Sequence, residues 1–97
     1  MKKGYTYIIS NQARTVLYIG VTGNLEGRIL QHKKDEGCKF SKKYKCKDLL
    51  YYEEFENIKD AINREKQLKN WHKEWKWNLV KSINNDLEDL GIGLVGK

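Results

Sequence analysis

The N-terminal quarter of the chain places the strongest constraint on its fold. Two runs rich in β-branched and aromatic residues, at positions 5–10 and 15–21, flank four residues at positions 11–14. Runs of this composition favour extended strands, and a connection of this length is typical of a hairpin loop. The sequence therefore predicts that the chain begins with an antiparallel β-hairpin.

The length of that loop sets which residues face each other across the hairpin. With four residues in the loop, Tyr7 lies directly opposite Tyr18 on one face of the hairpin. Side chains that face each other in this way have Cβ atoms about 5 Å apart. The same register places Gly20 opposite Tyr5, where the missing side chain opens space beside the rings of Tyr7 and Tyr18.

A turn and an amphipathic helix are predicted after the hairpin. Thr22 or Asn24 caps a helix over residues 25–34, since either side chain can accept a hydrogen bond from a backbone N–H. Four residues share the face of this helix that is directed at the core. They are Leu25, Arg28, Ile29 and His32. The guanidinium and the imidazole in this stripe suit a phosphate oxygen and a proton-transfer step.

The remaining sequence predicts one more strand and two longer helices. Residues 35–48 are polar and lysine-rich and are expected to form an exposed loop with a short helical turn. A strand is predicted over residues 49–55, and the helical pattern from residue 58 to residue 84 breaks near Asn70. The glycine-rich end, residues 91–97, is expected to fray.

The chain is long enough for one small hydrophobic core. It has 97 residues and no proline, repeat or linker, so residues 1–90 are expected to form a single domain. The predicted elements give an α/β fold of the α+β type, in which helices flank a three-stranded antiparallel sheet. We find no apolar run that could span a membrane and no signal peptide. These features favour a cytoplasmic protein in which Cys38 and Cys46 are reduced.

Glu65 falls where the first of the two longer helices calls for an apolar side chain. A buried carboxylate without a partner is costly, so Glu65 is expected to be paired, protonated or bound to a metal ion. The alternative is a partly exposed glutamate that pairs with a nearby lysine or arginine.

The positive charge of the chain is concentrated in its first half. The net charge is +6; residues 1–50 carry 11 Lys and Arg against 4 Asp and Glu, and residues 51–97 carry 8 against 9. A localised basic patch favours a polyanionic partner, and nucleic acid more than an anionic membrane. The lysines expected to bind nucleic acid are Lys33, Lys34, Lys39, Lys42, Lys43 and Lys45.

Several short motifs occur in a fixed order along the chain. They are Tyr5-Thr6-Tyr7, Tyr18-Ile19-Gly20 after ten residues, Arg28 with His32, Phe40-Ser41-Lys42-Lys43-Tyr44, Tyr52-Glu53-Glu54-Phe55 and Arg64-Glu65-Lys66. At this spacing they resemble the motifs of the GIY-YIG endonuclease family, in particular its small stand-alone bacterial members. The likeness extends over about residues 4–88. The first motif differs from its usual form, because Tyr5-Thr6 stands where the family has Gly-Ile and only the tyrosine is kept.

The resemblance implies a metal-dependent endonuclease that hydrolyses DNA through a tyrosine-activated water. Branched and damaged DNA stay open as substrates. The catalytic residues that it implies are Tyr7, Tyr18, Arg28, His32, Glu65 and Asn84. Glu65 would hold one Mg²⁺ or Mn²⁺ ion, Arg28 would hold the phosphate, and His32 would position the nucleophile or relay a proton. Tyr7 is favoured over Tyr18 as the general base. For the asparagine, Asn78 and Asn85 are alternatives to Asn84.

Two other functions are compatible with the sequence. The chain could be a non-catalytic nucleic-acid-binding module of the same fold, although such a module has no reason to keep all of the polar residues that the resemblance singles out. It could also be a protein-interaction domain that uses its three tryptophans as a patch. The helical spacing of Trp71 and Trp75 instead predicts that both lie in the core, with Trp77 exposed. Repair, restriction, mobility and RNA processing all stay open as biological roles.

Overall fold

A computed structural model describes residues 3–34, 36 and 39–95 of the chain. Three strands form one antiparallel sheet: β1 (Gly4–Ser10), β2 (Leu17–Thr22) and β3 (Asp48–Phe55). The strand order is β2-β1-β3, so β1 is central and β2 is an edge strand. The three-stranded antiparallel sheet expected from the sequence is therefore confirmed.

Five helices accompany the sheet in the described part of the chain. They are α1 (Leu25–Lys33), α2 (Lys39–Lys43), α3 (Ile58–Lys69), α4 (Lys73–Ile83) and α5 (Gly91–Val95). Asn24 caps α1, since its side chain accepts a hydrogen bond from the backbone N–H of Gly27 at 3.1 Å. Asn70 is the C-cap of α3, which confirms the predicted break between the two longer helices.

Two segments predicted without regular structure contain short helices. The loop predicted at residues 35–48 contains α2, a helix of five residues where a short helical turn was expected. The end that was predicted to fray contains α5, while residues 96–97 lie outside the described residues.

The predicted register of the hairpin is wrong by two residues. Tyr7 faces Gly20, and Tyr18 faces Ile9. The reason is the side chain of Asn11, whose Oδ1 accepts hydrogen bonds from the backbone N–H groups of Thr15 and Val16 at 2.9 and 3.0 Å. These bonds hold both residues in the loop. A shift of two residues keeps every side chain on its face of the sheet, so Tyr7 and Tyr18 are diagonal neighbours on one face.

The sheet separates two apolar clusters. On one face, α1 covers a cluster that includes Tyr7, Ile9 and Ile29. On the other face, α3 and α4 cover a cluster that includes Ile8 and Val80. Alternate residues of β1 thus serve opposite faces, as expected for a central strand that is covered on both sides.

Trp71 packs against the core as predicted, but Trp75 and Trp77 do not occupy the positions that their spacing predicts. Trp75 is 53% exposed, whereas Trp71 and Trp77 are half-buried and pack against the cluster under α4. Val80 is the fully buried residue of α4, which therefore presents a different face to the sheet from the one predicted through Trp75.

Two further expectations from the sequence concern the cysteines and the possibility of a membrane-spanning helix. Cys46 is buried, and Cys38 lies outside the described residues. Within residues 3–34, 36 and 39–95, no helix has the length and apolar character that crossing a bilayer requires.

Candidate active site

The hydroxyl of Tyr7 lies in a buried hydrogen-bond network between β1 and α1. The Tyr7 side chain is fully buried, and its Oη is 2.9 Å from Nε2 of His32. Arg28 donates from Nε to the same oxygen at 3.4 Å. Arg28 and His32 are one turn apart on α1, so both side chains reach the same part of the strand. The structure thus brings three of the predicted residues together.

His32 is held at both ring nitrogens. Its side chain is 2% exposed, and Nδ1 lies 3.1 Å from Oγ of Ser41, a buried residue of α2. Burial lowers the pKa of His32 to about 4, with a further lowering from the positive charge of Arg28. The imidazole is therefore neutral at pH 7, with one ring nitrogen that donates and one that accepts.

A neutral imidazole in this position can serve both protonation states of Tyr7. When Nε2 carries no hydrogen, it can accept a hydrogen bond from the phenol, and Nδ1–H donates to Ser41. In the other tautomer, Nε2–H donates to the Tyr7 oxygen, and the Ser41 hydroxyl can donate to Nδ1. A neutral His32 can therefore form a hydrogen bond with Tyr7 whether the phenol is protonated or ionised.

Gly20 allows the close approach of β2 to the end of the Tyr7 side chain. A Cβ atom at this position would overlap Cζ and Oη of Tyr7. Since the Tyr7 ring is enclosed by its neighbours, it could not move aside without disturbing the contact with His32. The glycine of the Tyr-Ile-Gly motif thus has a steric role opposite Tyr7, instead of the predicted role opposite Tyr5.

Tyr18 forms the open side of the same arrangement. It is half-buried, and its ring centroid lies 6.0 Å from that of His32. Its other neighbour is Phe40 of α2, which stacks on it at 5.8 Å with an interplanar angle of 29°. Both tyrosines therefore border His32, one enclosed and one near the surface.

Glu65 belongs to α3, which packs across β1 and β2 on the other face of the sheet. Its side chain is 16% exposed and forms an ion pair with Lys69 at 3.2 Å. The Lys69 ammonium in turn lies 6.0 Å from the centre of the Tyr18 ring. Lys69 therefore connects Glu65 to Tyr18 at the edge strand β2.

At this edge of the sheet, the Glu65 carboxylate is the candidate ligand for a divalent metal ion. No group of three or more His, Cys, Asp or Glu side chains suited to a metal ion occurs among the described residues. The oxygen ligands of Glu65 suit Mg²⁺ or Mn²⁺, which commonly take one or two carboxylates and fill their other positions with water and substrate phosphate. The donor set here fits an ion of that kind.

The six lysines predicted to bind nucleic acid fall into two groups. Lys33 forms an ion pair with Asp89 at 2.5 Å and donates to the carbonyl of Lys47 at 3.2 Å. Its side chain is 25% exposed, so it is engaged within the fold. The other five are exposed to solvent. They are Lys34, Lys39, Lys42, Lys43 and Lys45.

Among the described residues, the side-chain hydrogen bonds of Asn84 go to Leu50 and Glu88 and to none of the other predicted catalytic residues. It is 7% exposed, and its Nδ2 donates to the carbonyls of Leu50 and Glu88 at 2.9 and 2.8 Å. These bonds fasten the segment after α4 to β3. The alternatives Asn78 and Asn85 are both exposed.

Sequence reasoning missed Ser41 and the role of Phe40. Both lie on α2, in the segment that was predicted as a loop, so no periodicity indicated their direction. The signal that could have found them is the aromatic pair Phe40 and Tyr44, four residues apart, because this spacing places two side chains on one face of a helix.

Comparisons with known proteins find relatives over most of the chain. The chain matches the family model described as the GIY-YIG catalytic domain over residues 3–78. It is 36% identical over 92 residues to a UPF0213 protein of Clostridium perfringens, covering 93% of this chain and 98% of that protein. It is 32% identical over 87 residues to a UPF0213 protein of Pediococcus pentosaceus, covering 90% of this chain and 92% of that protein. No solved structure gives a significant match.

Proposed function

Because this chain belongs to the GIY-YIG family, we propose that it is a divalent-metal-dependent endonuclease that hydrolyses phosphodiester bonds in DNA. The GIY-YIG catalytic domain is a nuclease-type domain. The observation that carries the proposal is the position of the Tyr7 hydroxyl between Arg28 and His32. A phenol, a guanidinium and a neutral imidazole in contact can supply the proton transfer and the charge stabilisation that phosphodiester hydrolysis needs.

Tyr7 is proposed to accept the proton of the attacking water as a phenolate. Both of its neighbours can donate to that phenolate, Arg28 through Nε–H and neutral His32 through Nε2–H. Two fixed donors at the phenol oxygen stabilise the negative charge before the proton arrives. His32 positions the Tyr7 oxygen through Nε2 and needs no change of charge to do so.

The substrate has to open a path to Tyr7, because the side chain is enclosed in the free protein. The contact between Arg28 and Tyr7, at 3.4 Å, is at the long end of the hydrogen-bond range. A phosphate is a stronger acceptor for a guanidinium than a neutral phenol is. A bound phosphate can therefore draw Nη1 of Arg28 from Gln31 toward itself, while Nε–H stays directed at the phenol oxygen. This movement admits a water molecule beside the phenol. Tyr18, which is nearer the surface, orients that water.

Glu65 is the residue proposed to hold the metal ion. A bound Mg²⁺ or Mn²⁺ would polarise the phosphate and stabilise the leaving oxygen. The Lys69 ammonium pairs with one oxygen of the Glu65 carboxylate at 3.2 Å. A cation is therefore favoured at this position. Because Lys69 is exposed at the surface, it can turn away to solvent at little cost when a dication takes its place.

The Glu65→Gln variant tests the proposal. Glutamine keeps the size of the side chain and removes its charge, and a neutral amide is a poor ligand for a hard dication. An ion pair four residues apart on a helix contributes only about 0.3–0.5 kcal/mol, so the stability of the metal-free fold should change by less than about 1 kcal/mol. DNA cleavage should nevertheless be lost, while DNA affinity is kept. Melting temperature, affinity and cleavage with Mg²⁺ and Mn²⁺ are measured on one preparation.

Three further variants sharpen this test. Glu56→Gln, a change at an exposed carboxylate before α3, should cleave like the wild type. Tyr7→Phe should lower the cleavage rate by about 10²–10⁴-fold, as expected for loss of a general base, and Tyr18→Phe should lower it less. A wild-type protein that binds DNA but cleaves none with either metal ion would instead identify a non-catalytic binding module. A folded Glu65→Gln variant that cleaves at the wild-type rate would remove Glu65 from the site.

A further inference from the structure

We propose that a groove along the outer side of β2 binds unpaired nucleotides of the substrate, with bases stacked on aromatic rings and phosphates held by lysines. The inference rests on the proposed function for the class of ligand, a nucleic acid, and it adds which form of nucleic acid the site takes. We call this surface the β2 groove. It is formed by Leu17, Phe40, Tyr44, Lys69, Lys73 and Lys76.

Three aromatic rings follow one another from the candidate active site into the β2 groove. Tyr18 stacks on Phe40 at 5.8 Å, and Phe40 lies 4.8 Å from Tyr44. Phe40 is 44% exposed and Tyr44 is 41% exposed. Exposed adjacent aromatic rings are the feature with which proteins bind single-stranded nucleic acid without sequence preference, because every base has a face that can stack.

The space beside these rings is continuous. One cavity of about 380 Å³ lies between Tyr44 and α4, and a second of about 280 Å³ lies between Tyr18 and α3. Both are lined by Leu17, Phe40 and Lys76, so they form two halves of one groove. The second half reaches Tyr18, which also borders His32.

The charge of the β2 groove suits a phosphate backbone. Lys73 and Lys76 of α4 line it from one side, together with Lys69 of α3, the partner of Glu65. No carboxylate is among the described residues that line either cavity. Lys43 of α2 places its ammonium 5.4 Å from the centre of the Tyr44 ring. Rings flanked by cations on both sides match the alternation of bases and phosphates along a single strand.

The geometry favours an unpaired strand over a duplex. In a duplex both faces of each base are covered by neighbouring bases, so a ring of the protein can stack only on a base that has left the helix. The groove also begins at Tyr18, beside the proposed reacting groups. The substrate class is therefore a nucleic acid with unpaired nucleotides next to the phosphate that is cut, as at a single-stranded tail, a gap or a branch.

The test measures binding in EDTA, where a metal-dependent nuclease cannot cleave. The probes are a 20-nucleotide single strand, the duplex of the same sequence, and the RNA single strand, each with 2-aminopurine at one position. We expect Phe40→Leu and Tyr44→Leu to lower single-strand affinity by about tenfold each, because stacking is lost while an apolar side chain is kept. Duplex affinity should change by less than twofold. Quenching of 2-aminopurine by the wild type should be lost in both variants.

The matched control is Tyr52→Leu, which removes a ring of similar exposure (37%) from β3, the other edge of the sheet. It should leave single-strand affinity unchanged. If Phe40→Leu and Tyr44→Leu lose equal affinity for single strand and duplex, or lose none, the proposed role of the β2 groove is overturned. In that case, DNA cleavage by the wild type would still support the nuclease function. Selective single-strand binding by a wild type that cleaves nothing would support the groove and refute the nuclease. The RNA arm shows whether the sugar matters.

Discussion

His32 shows how one residue can be fixed by burial in the form that the site needs. An imidazole in water is half charged near pH 6.5, whereas this one is enclosed and lies beside Arg28. Both conditions favour the neutral ring, which alone can accept at one nitrogen and donate at the other. The contacts with Tyr7 and Ser41 use both nitrogens. The neutral state is therefore a consequence of the packing of α1 on the sheet.

The same burial predicts a dependence of stability on pH. The folded pKa of His32, about 4, is below the value of about 6.5 expected in the unfolded chain, so the unfolded state binds the extra proton first. This stabilisation is fully present well above pH 6.5 and is lost as the pH falls toward 4, by about 3 kcal/mol in total at about 1.4 kcal/mol per pKa unit. Urea unfolding between pH 7 and pH 5 should show the free energy of unfolding fall as the pH falls.

The control for this prediction is His32→Gln, which removes the titrating group and keeps a polar side chain near Tyr7. Its free energy of unfolding should be lower at pH 7 but should depend much less on pH between 7 and 5. Parallel pH profiles for the variant and the wild type would contradict a neutral, buried His32.

At the scale of elements, α3 is attached to β3 by an arginine beside Glu65. Arg64 donates to both carboxylate oxygens of Glu53, at 3.0 and 3.1 Å, and its guanidinium lies 5.3 Å from the centre of the Trp71 ring. Glu53 also accepts a hydrogen bond from Tyr51. Because Arg64 and Glu65 are adjacent, this network sets how far α3 can rotate and hence where the Glu65 carboxylate lies.

We expect Arg64→Met to destabilise the fold by about 1–3 kcal/mol, because a partly buried carboxylate loses a two-point partner. The measurement is a double-mutant cycle with Glu53→Gln in urea. Since the two side chains are in direct contact, the double variant should lose less than the sum of the single variants. Additive losses would mean that the pair does not couple α3 to β3.

The sequence patterns predicted the strands and helices better than they predicted how these elements pair and pack against one another. The 3.6-residue period of α1 correctly placed Arg28 and His32 toward the core, and the alternation in β1 correctly placed Tyr7 on the same face as Tyr18. The register between β1 and β2 was predicted wrongly, because it depends on side-chain hydrogen bonds of Asn11 that no local propensity reveals. The face of α4 was also mispredicted, since packing against a sheet selects among several apolar stripes.

The contacts missed by sequence reasoning are those between residues in different elements. His32 and Ser41 are nine positions apart on two helices, and the second helix has only five residues. So short a helix gives no periodic signal from which a direction could be inferred. The partners of the lysines were equally hard to predict. Lys33 and Lys34 are adjacent in sequence, but only the structure shows that Lys33 is paired with Asp89.

Across the whole molecule, the positive charge that can reach a partner is smaller than the sequence suggests. Lys33 is neutralised within the fold by Asp89, whereas the lysines of α2, Lys39, Lys42 and Lys43, are exposed to solvent. The exposed part of the cluster adjoins the β2 groove through Tyr44, so the basic surface and the candidate active site form one continuous region. A polyanion bound along this surface would pass Tyr18.

This division among lysines predicts different effects of salt. Each phosphate that a lysine neutralises releases counterions, and the slope of log K against log salt for duplex DNA changes by about 0.9 per contact. Lys42→Gln should therefore weaken binding and make the slope shallower by about that amount between 50 and 200 mM salt. Lys33→Gln should leave the slope unchanged, because its ammonium is committed to Asp89, and should instead lower the melting temperature. Titrations of fluorescent duplex in EDTA measure both slopes, and a Lys33→Gln slope as shallow as that of Lys42→Gln would show that the ion pair with Asp89 opens when DNA binds.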